Sequence, residues 1–169
     1  LPTAAAAILN PKRPDCDYPF DALAGVGVAF KLILALAIKN GLKTTDVFNQ
    51  YVDIATLGTI ADVVPLLGEN RVIVDKGLKI LHNPKRIGIR AIMEVAGVLD
   101  KPLNASTIAF SIAPRLNAAG RLGSAATAVE LLLTNDESRA RELALLLDTE
   151  NKERQQTERQ IFDEALELI

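Results

Sequence analysis

Thirteen consecutive residues near the end of the chain, "DTENKERQQTERQ" (148–160), offer no apolar side chain to any face of a helix. They contain neither Gly nor Pro, and the helical pattern continues on both sides of them. Leu143, Leu146 and Leu147 give an apolar face before the stretch; Ile161, Phe162, Ala165 and Leu166 give another after it. A helix that is polar all round usually crosses solvent between two packed bodies. Coiled coil is the competing reading, but its heptad fails across this middle. The chain is therefore expected to run into a long connecting helix over 135–169, with the packed body in residues 1–134.

At 169 residues the chain is long enough for a domain with a sizeable core. Hydrophobic residues make up 49% and charged residues 24%, the balance of a soluble globular protein. Ala and Leu dominate and Trp is absent, which biases the chain toward helix. The net charge of -2 excludes a polybasic tail, so a polyanion would have to be met by a local patch. Cys16 stands alone, which excludes an internal disulfide and a thiolate zinc site and fits a reducing cytosol. The longest apolar stretch, 22–38, is broken by Gly25, Gly27 and Lys31, so it reads as a buried helix and not a membrane span. The chain opens on Leu and stops inside a helical pattern, with no signal peptide visible; it reads as an internal piece of a longer protein.

Residues 5–9 read as a possible short buried strand, closed by "NPKRPDCDYP", whose three prolines forbid a helix. Asp21 is placed to cap a helix running to about Asn40, with Gly41 as its stop. A second helix opens at "KTTD" and runs at least to Leu57. Shorter helices follow at about 70–82, 88–96 and 104–113, the last meeting Pro114. "RLNAAGRLGSA" reads as a loop by its glycines, ahead of a helix over 125–133; Thr134 and Glu137 form the capping-box pair for the last helix.

Two constellations can carry chemistry. Asp62 lies inside the apolar run "TLGTIADVVPLL", and burying a lone carboxylate is costly unless it is paired, protonated or placed on a metal. If the second helix continues, Ala55, Gly58 and Asp62 share one face, and the small residues leave room for something bulky. Asp53, nine residues earlier, is about half a turn out of phase and reads as a solvated or capping group. The alternative for Asp62 is a helix-end carboxylate capping local amides. The second constellation, "APRLNAAGRLGSA", combines Arg115, Asn117 and Arg121 with small residues and a helix start at Ser124, groups suited to phosphate. Its alternative is a tight turn whose arginines pair with local carboxylates. His82, the single His, reads as a charge partner at a helix end, and this chain alone cannot assemble a two-metal site.

Three stretches together, "ILNPKRPDCDYPFDALAGVGVAFKL", "YVDIATLGTIADVVPLLGENR" and "FSIAPRLNAAGRLGSAATAVELLL", resemble the RecJ-like members of the DHH phosphoesterase superfamily, single-strand-specific 5′→3′ DNA exonucleases. The resemblance implies an α/β fold for the full protein, a parallel sheet with helices. Of it, this piece would be the mostly helical second half of the DHH domain with at most one or two short strands, leading toward a DHHA1 domain. It implies a two-metal site with Mn2+ or Mg2+, one ligand of which is Asp62, the others lying before Leu1. It places Arg115, Asn117 and Arg121 on the wall of a DNA channel. It further implies single-stranded DNA as substrate, single-strand binding protein and a helicase as partners, no membrane association, and a cytoplasmic role in repair and recombination. The alternatives within its reach are a phosphodiesterase acting on oligonucleotides or cyclic dinucleotides, and a non-catalytic replication scaffold.

Overall fold

The computed structural model describes residues 4–122 and 125–168, and for residues 119, 121 and 122 the backbone alone. In chain order the elements are α1 (Gly25–Lys39), α2 (Thr44–Ala61), α3 (Gly68–Leu81), α4 (Ile87–Val95), α5 (Ala105–Thr107), a π-helical turn (Ile108–Ile112), α6 (Ala113–Leu122), α7 (Ala126–Leu133) and α8 (Glu137–Glu167). The described residues are thus mostly helical and contain no strand. Residues 5–9, read from sequence as a possible buried strand, are irregular and largely exposed. A strand needs a neighbour for its backbone N–H and C=O groups, and among the described residues these have none. No helix among the described residues is long and apolar enough to cross a membrane. The chain divides into two compact units at Ile80/Leu81.

The first unit packs α1, α2 and α3. Helix α1 starts three residues later than a cap at Asp21 would have it, because Leu23 and Ala24 are buried and Ala24 is still extended where it caps the helix. Its end is as expected: Gly41 has φ +67°, the left-handed conformation that closes a helix. The core gathers Leu23, Phe30, Val52, Ala55 and Ile73, with the rings of Phe30 and Phe48 tilted at 5.2 Å between centroids. Burying a side chain such as Phe30 contributes about 2–3 kcal/mol. The Thr56 hydroxyl donates to Ile73 O at 3.0 Å and ties α2 to α3. Gly77 permits that approach, since a Cβ there would lie 1.8 Å from Thr56 Oγ1.

The second unit is built on the first half of α8. Ala140, Leu143, Ala144 and Leu147 bury one face. Of the leucines expected there Leu143 and Leu147 are inside, whereas Leu146 is exposed, because the buried stripe runs through Ala140 and Ala144 instead. From Lys152 onward the described side chains are exposed, apart from half-buried Arg154, so the polar stretch does run through solvent beyond Asn151. The helix is capped by Asp136, not Thr134: the Asp136 carboxylate accepts from Arg139 N at 3.0 Å. Asp is the stronger N-cap of the two. Helix α4 approaches α7 through Gly88, where a Cβ would lie 1.7 Å from Leu131 O.

The helix expected to stop at Pro114 does not stop. α5, the π turn and α6 follow one another without a break. Pro114 is the second residue of α6 and directly follows the π turn, whose wider hydrogen-bond spacing accommodates the missing N–H. The run "RLNAAGRL", expected as a loop, is helix: Leu116, Ala118 and Ala119 are strong helix formers and outweigh a single Gly120 near its end.

Candidate functional site

Helix α2 continues to Ala61 and places Asp62 at its C-cap, with φ -82° and ψ -3°. The Asp62 amide donates to Gly58 O at 3.0 Å and the Val63 amide to Ile60 O at 3.2 Å. The half-turn relation between the two aspartates holds, but the sides are exchanged. Asp62 is exposed, whereas Asp53, read as solvated, is 5% exposed, with its Oδ1 accepting from Ile54 N at 2.8 Å. The reason is that α2 carries apolar and small residues nearly all round its last three turns, and the side bearing Val52, Thr56 and Asp53 is inside. The small residues do not leave an opening beside Asp62 either: a Cβ on Gly58 would lie 2.8 Å from Val26 Cγ1, so Gly58 admits α1.

Two locally unfavourable choices meet at this turn. Val63 follows Asp62 with φ +56°, a left-handed conformation that costs a β-branched residue about 1–3 kcal/mol. It is 87% exposed, so burial does not repay that strain. Asp62 itself is an anion at the negative end of an 18-residue helix whose last turn holds no basic residue. The helix dipole disfavours it by about 0.3–1 kcal/mol. A cation at the carboxylate would relieve that repulsion, and Asp62 is exposed to receive one. Among the described residues no group of three or more His, Cys, Asp and Glu side chains could hold an ion, so Asp62 would be a single ligand.

The second constellation lies in the other unit. Arg115 is committed within the protein: its Nε donates to Asp148 Oδ1 at 2.9 Å, a terminal nitrogen lies 2.9 Å from the same oxygen, and the other donates to Ser111 O. The arginine does pair with a carboxylate, but from a helix and across to α8, 33 residues on, and not within a tight turn; the pairing leaves little of the guanidinium fork for a phosphate. Asp148 also receives Lys152 Nζ at 2.7 Å. Burial pushes its carboxyl up, but the Lys152 hydrogen bond and the Arg115 charge outweigh that and hold it below the usual carboxylate range. Sequence reasoning missed Asp148 because it lies in the run that looked polar on every side; its position one residue after Leu147 on a packed helix was the available signal. Asn117 is exposed on α6. The side chain of Arg121 and the helix start expected at Ser124 lie outside the described residues.

A comparison with protein-family models gives no match. Among curated proteins, the chain is 44% identical over 163 residues to the single-stranded-DNA-specific exonuclease RecJ of Bacillus subtilis, a match covering 96% of this chain and 20% of that protein. Among solved structures it is similar to RecJ in complex with Mg2+ from Thermus thermophilus, with a TM-score of 0.78 and 40% identity, covering 88% of this chain and 23% of that one. It is likewise similar to an exonuclease RecJ bound to manganese, with a TM-score of 0.76 and 41% identity, over 84% of this chain and 35% of that one. The chain spans about a fifth of the length of the Bacillus subtilis relative it matches. Along the stretch it covers, by sequence and by fold, the chain belongs with RecJ.

Proposed function

We propose that this chain supplies part of the catalytic domain of a metal-dependent exonuclease that hydrolyses phosphodiester bonds of single-stranded DNA from the 5′ end. The observation that carries the reading is the exposed Asp62 carboxylate at the strained, negative end of α2. It is joined by the similarity to RecJ structures that hold Mg2+ or manganese. In this reading residues 1–134 are the second half of a DHH domain and residues 135–169 the helix toward a DHHA1 domain.

Asp62 would contribute one hard oxygen ligand, suited to Mn2+ or Mg2+ and not to a thiolate-seeking ion. Such ions, when bound, supply Lewis acidity and charge neutralisation at the reacting phosphorus. The chain's own part is to hold that carboxylate in place at the helix end and to guide the strand. Asn117 and Arg121 would meet the sugar-phosphate backbone, while Arg115, paired to Asp148, would fix α6 on α8 so that Asn117 faces outward. Contacts of this kind read backbone and carry little sequence preference. The same reading takes the reaction to the cytoplasm, in repair and recombination, with single-strand binding protein and a helicase as partners. Cys16, free and half-buried, suits a reducing compartment.

The test is a chimera in which this segment replaces its counterpart in the Bacillus subtilis relative. Asp62→Ala is expected to lower Mn2+-dependent nucleotide release by about 100-fold or more, with circular dichroism unchanged and the melting temperature unchanged or slightly raised. Turnover at the level of the unsubstituted chimera would exclude Asp62 as a metal ligand.

A further inference from the structure

The turn that carries Asp62 is held from below by one side chain. Asn70, in the first turn of α3, is fully buried, and its Nδ2 donates both to Ala22 O at 2.7 Å and to Pro65 O at 3.0 Å. Ala22 belongs to the segment leading into α1, and Pro65 lies three residues after Asp62. A single amide nitrogen thus fastens the Asp62 turn to the chain on the other side. Its Oδ1 has no partner although it is buried. The fold accepts an orphaned acceptor there in order to keep two donated hydrogen bonds on carbonyl oxygens, and no apolar or acidic side chain of similar size could donate them. Flipping the amide would set an oxygen against both carbonyls, so the orientation is fixed by chemistry.

The geometry points to Asn70 as the positioning residue of the Asp62 turn: it holds residues 63–65 in the strained path that presents the Asp62 carboxylate, without touching the cation itself. This rests on the reading of Asp62 as a metal ligand. Val63 on its own would relax out of its left-handed conformation. The anchor at Pro65 fixes the far end of the turn and denies it that path. Groups that orient metal ligands in this way are typically worth about 10- to 100-fold in metal affinity or activity.

The experiment compares Asn70→Ala with a core truncation in the same unit, Phe30→Leu. Hydrogen exchange is followed on the 169-residue chain, and the Mn2+ dependence of nucleotide release on the chimera. Asn70→Ala is expected to speed exchange at Val63, whose amide donates to Ile60 O, by roughly tenfold beyond any change at Val74. It is also expected to raise the Mn2+ midpoint by about 10- to 100-fold at unchanged KM for the DNA. Phe30→Leu should do neither. Exchange that is unchanged at Val63, or raised evenly over residues 4–80, overturns the proposal. So does a normal Mn2+ midpoint in Asn70→Ala when Asp62→Ala is inactive, an outcome that leaves the metal-ligand reading standing. Full turnover in Asp62→Ala removes that reading and the role of Asn70 in metal affinity, while the exchange data still decide whether Asn70 holds the turn. Asn70→Ser, which keeps one donor, serves if Asn70→Ala does not fold. Failure of both to fold would show a role in the whole unit and overturn one confined to the turn.

Discussion

Among the described residues Val63 is the only non-glycine with positive φ, and it is nearly fully exposed. Val63→Gly removes the left-handed penalty and gives up no buried surface, so it should stabilise the chain by roughly 0.5–1 kcal/mol once glycine's own backbone entropy is counted. A urea titration checks this; an unchanged or lower midpoint would mean the conformation carries no strain. Such strain is invisible in sequence, because nothing in "IADVVP" requires the first valine, Val63, to take up a left-handed turn. Asp62 and Asp53 show where legibility stops at this scale. Their opposition on the helix follows from nine residues at about 100° each and is what the structure has. Which of them faces inward depends on how α1 and α3 close on α2, through contacts such as Thr56–Ile73 and Val26–Gly58, 17 and 32 residues apart in sequence.

Helices α1 to α4 and α8 were readable as elements, since Gly41, Pro65, Pro84 and Gly97 punctuate the chain where the structure turns. Their ends were less so, by one to four residues, because caps such as Ala24 and Asp136 are chosen by burial and by competition between neighbouring side chains. The helix over about 104–113 was readable and is the α5–π part, but its continuation into α6 was not, since a π turn absorbs the break that Pro114 would otherwise impose. The α4–α7 contact gives a test at this scale. Gly88→Ala must move backbone, with Leu131 O at 1.7 Å from the new Cβ, and should lower stability by at least about 2 kcal/mol in calorimetry. The α6–α8 contact gives another. Asp148→Asn breaks a largely buried pair with Arg115 and should cost about 2–4 kcal/mol at neutral pH. The Asp148 pKa is lowered in the folded state, so the stability it confers is fully present above the unfolded value of about 3.9 and is lost as pH falls through the lower folded value. Asp148→Asn should therefore flatten that part of the acid limb in melting temperature against pH.

The molecule as a whole carries a net charge of -2, so attraction to a nucleic acid has to come from a few cations and not from an overall field. In the chimera, Arg121→Ala is expected to weaken single-strand binding and to reduce the slope of log affinity against log salt by about 0.7, the share of one phosphate contact. Asn117→Ala should weaken binding with the slope unchanged, since Asn releases no counterion. An unaltered slope in Arg121→Ala would remove that residue from the phosphate path. One feature of α8 bears on how such binding is felt elsewhere. The last buried contacts of the helix are at Asp148 and Asn151, and Glu167 lies about 28 Å further along the axis from Asp148. In mechanical terms the exposed half is a lever whose fulcrum is the Arg115–Asp148 pair. A tilt of about 5° there would carry the far end of a straight helix through about 2.5 Å, so the tip is the part of this chain most sensitive to how α8 is seated on α6.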